Sequence, residues 1–276
     1  MAKGEIPPVD ERLPENPVVV TPVESIGKYG GEWTSGTVET NGNDIRRNIG
    51  YYQLVQFAWD WNGVVPGVCE SWTASEDARE YTFILKKGLK WSDGQPFTAD
   101  DLVFYYEDVV MNAEITPIPP KFPYVVEKVD DYTAKWVLED PNGLFIKEEA
   151  QVDRAPTRYP KHYLQQFHIK YNPDVAALVQ KEGFESWFAL FTAKASVHEN
   201  AELPKLWPWI PTVGMGAGAT RIICERNPYF YQVDTEGNQL PYIDRYAQEW
   251  VTDNEVLVLK SLNGEIDFQE QWINAA

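Results

Sequence analysis

β-Branched and aromatic residues run together through Tyr81-Thr82-Phe83-Ile84-Leu85-Lys86, the content of a strand. Trp91-Ser92-Asp93-Gly94 follows as a turn, with glycine where a positive φ is needed. The period then changes. Thr98 can cap a helix whose first turn carries Asp100 and Asp101, where the macrodipole favours carboxylates, and Leu102, Tyr106, Val109 and Val110 recur at helical spacing as a core face. Tyr124 to Val129 and Thr133 to Leu138 read as a hairpin turning at Asp130-Asp131-Tyr132. A second helix is expected from Asn172-Pro173-Asp174, with Asn as its cap, through Leu178 and Val179 to Phe191, weakened at Gly183. Strand character returns at Thr220 to Glu225 and Ile243 to Val251. A last helix from about Asp253 to Leu262 stops at Gly264, before the extended Glu265-Ile266-Asp267-Phe268.

The N-terminal stretch has a different texture. Residues 1–28 hold five prolines (Pro7, Pro8, Pro14, Pro17 and Pro22) and read as an extended arm, so ordered structure is expected from Tyr29-Gly30-Gly31 onward. Glu32 to Val38 suits a short strand, and Glu39-Thr40-Asn41-Gly42-Asn43-Asp44 suits a polar loop. The arm contains no apolar segment of the kind found in secretory signals, which leaves a cytoplasmic protein or one whose signal has been removed. No apolar stretch approaches the roughly 18 to 20 residues that a membrane span requires.

Charge and chemistry narrow the classes. Against 42 Asp+Glu stand 24 Lys+Arg, a formal charge of −18 that repels polyphosphate and anionic lipid, so nucleic acid and membrane surfaces are poor partners. Cys69 and Cys224 are too few for a disulfide framework or a CxxC metal knuckle; they can pair with each other or remain free thiols. Nucleophile elbows, Walker loops and HExxH are missing from the sequence. His162 and His168 are spaced wrongly for one helical face, so neither a metal site nor a cofactor is expected.

Several phrases resemble one family closely. Tyr81 to Leu102, read as Tyr-Thr-Phe-Ile-Leu-Lys-Lys-Gly-Leu-Lys-Trp-Ser-Asp-Gly-Gln-Pro-Phe-Thr-Ala-Asp-Asp-Leu, is similar almost throughout to the signature of the family 5 extracellular solute-binding proteins. That family includes oligopeptide, dipeptide, nickel and cellobiose binders. Pro66-Gly67-Val68-Cys69-Glu70-Ser71-Trp72 precedes it. Glu225-Arg226-Asn227-Pro228-Tyr229-Phe230, Leu240-Pro241-Tyr242-Ile243-Asp244-Arg245 and Leu262-Asn263-Gly264-Glu265-Ile266-Asp267-Phe268 follow in family order, so the resemblance covers roughly Tyr29 to Gln269. These residues serve turns and core and identify a scaffold rather than chemistry.

The resemblance implies a periplasmic-binding-protein-like type II fold of mixed α/β sheets. It further implies a base domain from residues 29–50 and 200–276, an inserted α/β domain from 51–199, and a second lobe that is expected to lie outside this sequence. It implies a non-enzymatic, periplasmic or extracytoplasmic binding component of an ABC importer, working with a permease and capturing an oligopeptide or oligosaccharide between lobes. A ligand-sensing receptor on the same fold is an alternative, and a carbohydrate-active hydrolase with paired carboxylates is a more distant one. In the family the loop after the first strand faces the cleft, which makes Glu39, Thr40, Asn41 and Asn43 candidate ligand contacts. The 11 Trp and 15 Tyr favour sugar stacking, with Trp59, Trp61, Trp207 and Trp209 as aromatic candidates.

Overall fold

Period-2 burial organises the hairpin strands that the sequence marks out. Along Thr133–Leu138 every second side chain, Ala134, Trp136 and Leu138, is buried, and its partner Glu80–Leu85 buries Tyr81, Phe83 and Leu85. The computed structural model describes residues 6–39, 42–118, 123–151, 156–214 and 219–272. Its strands are β1 (Val18–Val20), β2 (Glu32–Thr37), β3 (Val55–Phe57), β4 (Val64–Pro66), β5 (Cys69–Ala74), β6 (Glu80–Leu85), β7 (Tyr124–Asp130), β8 (Thr133–Leu138), β9 (Trp209–Val213), β10 (Arg221–Arg226), β11 (Gln232–Asp234) and β12 (Arg245–Trp250). Helices α1 (Val9–Arg12), α2 (Asn43–Ile49), α3 (Ala99–Phe104), α4 (Phe145–Glu149), α5 (Lys161–Leu164), α6 (Val175–Glu182), α7 (Trp187–Lys194) and α8 (Asn254–Leu262) complete the mixed α/β fold.

Two four-stranded sheets carry most of the order. One runs β2-β12-β10-β9, with β2 parallel to β12 and the other pairs antiparallel; the second is the antiparallel β5-β6-β8-β7. Two-stranded pairs β3-β4 and β1-β11 flank them. The second sheet packs a core of Phe83, Trp91, Phe97, Leu102 and Trp136. A smaller core under the first sheet joins Ile45, Ile49, Trp207, Ile222, Cys224 and Tyr246.

The cap on α3 is the one the sequence specifies. Thr98 and Asp101 form a reciprocal capping box, and the buried Asp101 also accepts from the Lys161 amide at 2.9 Å and the Trp91 indole at 3.4 Å. Desolvation pushes its carboxyl up to about 6. The helix passes directly into a π-helical turn at Tyr105–Val110.

Three expectations need correction. Asn172 does not cap the second helix: Asp174 precedes α6, Gly183 ends it at φ +76°, and Ser186 caps a separate α7 by accepting from the Ala189 amide. Glycine in the left-handed region terminates a helix instead of merely weakening it. The loop after β2 is shorter than the sequence suggests, because α2 starts at Asn43 with Ile45 and Ile49, four apart, both buried. Nor is the arm simply extended. It contains α1 and β1, and β1 pairs with β11 while Arg12 donates to the Pro228 carbonyl and to Gln239 Oε1. The two cysteines are free and buried, each thiol pushed up to about 12 by desolvation.

A buried polar junction ties the signature turn to the chain returning toward β9. The Ser92 amide donates to the Lys205 carbonyl (3.1 Å), the Lys205 amide donates to Ser92 Oγ (3.0 Å), and Asn227 Nδ2 donates to the Trp207 carbonyl (2.9 Å). Lys205 Nζ donates to the Leu203 and Asn200 carbonyls, and burial lowers its ammonium to about 7. A folded pKa below the unfolded value near 10.4 means that the unfolded chain holds more protons from pH 7 to about 10, so this group makes stability rise with pH across that window. Urea unfolding should therefore show Lys205→Met gaining most over the parent at pH 6–7, with the advantage shrinking toward pH 10. A pH-independent difference would contradict the buried charge.

Candidate functional site

A hollow of about 720 Å³ is assembled from four separated stretches. Gly42, Asn43 and Arg46 come from the start of α2, Arg158 and Tyr159 from a 3-10 turn at Pro156–Arg158, and His198 and Glu199 from the segment beyond α7, with Val109, Ile115, Thr116 and Phe191 as its apolar wall. Helix α2 presents Asn43 and Arg46 together because they are three residues apart, and Asn43 Oδ1 accepts from the Arg46 guanidinium at 3.0 Å. Gly42 sits at φ +71°, and a Cβ there would lie 2.3 Å from His198 Cγ. The imidazole therefore lies directly on the glycine backbone, which only glycine permits. Desolvation lowers the His198 pKa, against the opposing pull of Glu199, so the ring faces the hollow neutral at physiological pH.

A second hollow of about 580 Å³ lies under the β3-β4 hairpin, lined by Tyr51, Gln53, Gln56, Phe57, Ala58, Trp59, Trp61, Ala150 and Gln151. The 156–158 turn makes contacts toward both hollows. Arg158 lines the first, while its neighbour Thr157 donates to the Tyr52 carbonyl at 2.8 Å and reaches Gln53 Oε1, in the wall of the second, at 3.5 Å. Together they offer carboxamides, guanidinium groups, one imidazole and flat aromatic faces. That set has the donors, acceptors and flat faces that a polar oligomer requires of a concave surface. Among the described residues no group of three His, Cys, Asp or Glu is placed to hold a metal ion.

The model of the bacterial extracellular solute-binding proteins, family 5 middle, matches residues 63–275. The chain belongs to this family. The periplasmic alpha-galactoside-binding protein of Rhizobium meliloti (strain 1021) is 30% identical over 301 residues, spanning 97% of this chain and 40% of that protein. A solved oligopeptide-binding protein OppA is similar at 42% identity and TM-score 0.89, over 98% of this chain and 43% of its own. The periplasmic binding protein MelB of Agrobacterium fabrum C58, solved in complex with stachyose, is 26% identical with TM-score 0.78, over 96% and 41%. This family 5 chain thus spans about two fifths of the length of the relatives it matches.

The candidate residues divide. Trp59 and Trp61 stand together in the second hollow, and Asn43 stands in the first. Glu39 is half-buried beside it in sequence, its amide donating to Thr37 Oγ1 at 2.9 Å; Thr40 and Asn41 lie outside the described residues. Trp207 and Trp209 pack among core residues. Trp207 is 2% exposed, packed with Ile45 and Ile49, and Trp209 is 9% exposed with its indole donating to the Ile243 carbonyl at 2.9 Å. Trp209 also borders an open hollow of about 300 Å³ with Tyr52, Phe230 and Tyr242. Arg46, Tyr51, Gln53, Arg158 and His198 were not singled out from the sequence. The Ile45/Ile49 spacing, which turns the expected loop into a helix, is a signal for Arg46 alone.

Gly42→Ala should cost more than about 1 kcal/mol, since it combines positive φ with a clash at the His198 ring. Pairing it with His198→Ala should recover part of that loss in thermal unfolding. Full additivity of the two losses would contradict the contact.

Proposed function

We propose that this family 5 chain is the solute-capturing part of an extracytoplasmic receptor that delivers an oligopeptide or oligosaccharide to an ABC permease, without turning it over. The observation that carries the reading is the pair of hollows, of about 720 and 580 Å³, lined by hydrogen-bonding side chains and aromatic rings. The relatives' names support it: one binds alpha-galactosides, one was solved with stachyose and one is an oligopeptide-binding protein. In this reading residues 29–50 and 200–276 form the base and 51–199 an inserted domain. The grouping of β2 with β9, β10 and β12, and of β5 to β8 in a separate sheet, supports that division.

Both ligand classes have a specific argument. The 42% identity with OppA favours peptide, and the names of the alpha-galactoside binder and of the stachyose complex favour sugar. Calorimetry with peptide and oligosaccharide panels should give saturable 1:1 binding to one class, with the ligand recovered chemically intact. Steady release of hydrolysed product, or binding to neither class, would overturn the reading.

A further inference from the structure

We infer that the β3-β4 hairpin is a stacking platform for an uncharged oligosaccharide, which names the ligand class within the receptor reading above. Trp59 is 94% exposed and Trp61 78%, whereas Trp91, Trp136 and Trp207 are buried. Two indoles this exposed on one hairpin, both lining the same hollow, bury little of their surface in the fold, and an exposed apolar patch rimmed by polar groups marks a binding surface.

The platform is built rather than loose. The Ala58 amide donates to the Gly63 carbonyl (3.0 Å), the Trp61 amide to the Ala58 carbonyl (2.8 Å) and the Asn62 amide to Asp60 Oδ1 (3.0 Å). Trp61 occupies φ +59°, a left-handed conformation that bulky residues rarely adopt, and its ring leans on Phe57 at 5.4 Å between centroids. Both contacts fix the direction of the indole before any ligand arrives.

The rim selects the class. Beside the rings stand Tyr51 and the carboxamides of Gln53, Gln56 and Gln151, and among the described residues no charged side chain lines the hollow, although the chain carries a formal −18. Carboxamides both donate and accept, which matches sugar hydroxyls, while the apolar face of a pyranose ring covers an indole. A peptide's charged termini find no counter-charge here.

Titrating stachyose, cellotetraose and tetra-alanine to millimolar concentration into the parent, Trp59→Ala and Trp61→Ala tests the inference by calorimetry. Circular dichroism and thermal melts verify that the exposed substitutions leave the fold intact. The expected result is binding of at least one tetrasaccharide, weakened at least about tenfold by each substitution, with no tetra-alanine binding. Sugar binding unchanged in both variants would overturn the platform, and tetra-alanine binding alone would overturn the ligand class, each leaving the receptor reading standing. Binding of none of the three would overturn both.

Discussion

Parallel pairing of β2 with β12, in continuous register from Glu32↔Arg245 to Thr37↔Trp250, brings opposite ends of the chain into one sheet. A parallel pair requires a crossover, and here everything from residue 38 to residue 244 serves as that crossover. The pairing is reinforced inside by Ser35 Oγ, Tyr246 OH and Asn48, linked at 2.6 and 2.8 Å, and along the outer edge of β2 by the chain beyond α8. There Asp267 bonds the Thr34 amide, and the Gln269 carboxamide bonds both the amide and the carbonyl of Gly36. Side chains thus occupy an edge that would otherwise invite another strand.

The site inherits its geometry from that closure. Helix α2 leaves β2 directly, and the 198–209 segment feeds β9 of the same sheet, so Gly42 meets His198 and Ile45 and Ile49 meet Trp207 without either stretch encoding the other. The Ser92, Lys205 and Asn227 junction then ties the turn after β6 to the segment leading into β9, and Thr157 ties the 156–158 turn to the Tyr52 carbonyl. Polar groups buried at these crossings must be fully bonded to be tolerated. That makes them specific in a way that apolar packing is not.

Local chemistry was the legible part. The Thr98 and Asp101 cap, the Tyr124 to Leu138 hairpin and the strands at either end of the base sheet follow from residue type and period, and the signature phrases mark the family. Burial across long separations was not legible. Nothing local distinguishes Trp207, enclosed by α2, from Trp61, held outward by a left-handed turn, since both are tryptophans in proline- or glycine-bearing stretches. The cavity residues Arg46, Arg158 and His198 escaped for the same reason, as their proximity is a product of the sheet. Gly183 shows the converse: a glycine whose local effect was foreseen but whose strength, ending one helix before Ser186 caps the next, depends on its φ.

If a sugar is met by the two indoles the fold leaves in water, the 11 tryptophan side-chain N–H resonances report on that most directly. On titration with stachyose, Trp59 and Trp61 should shift in a saturable manner while the enclosed Trp91, Trp136 and Trp207 remain still. Saturable shifts confined to other tryptophans, with Trp59 and Trp61 unmoved, would contradict it.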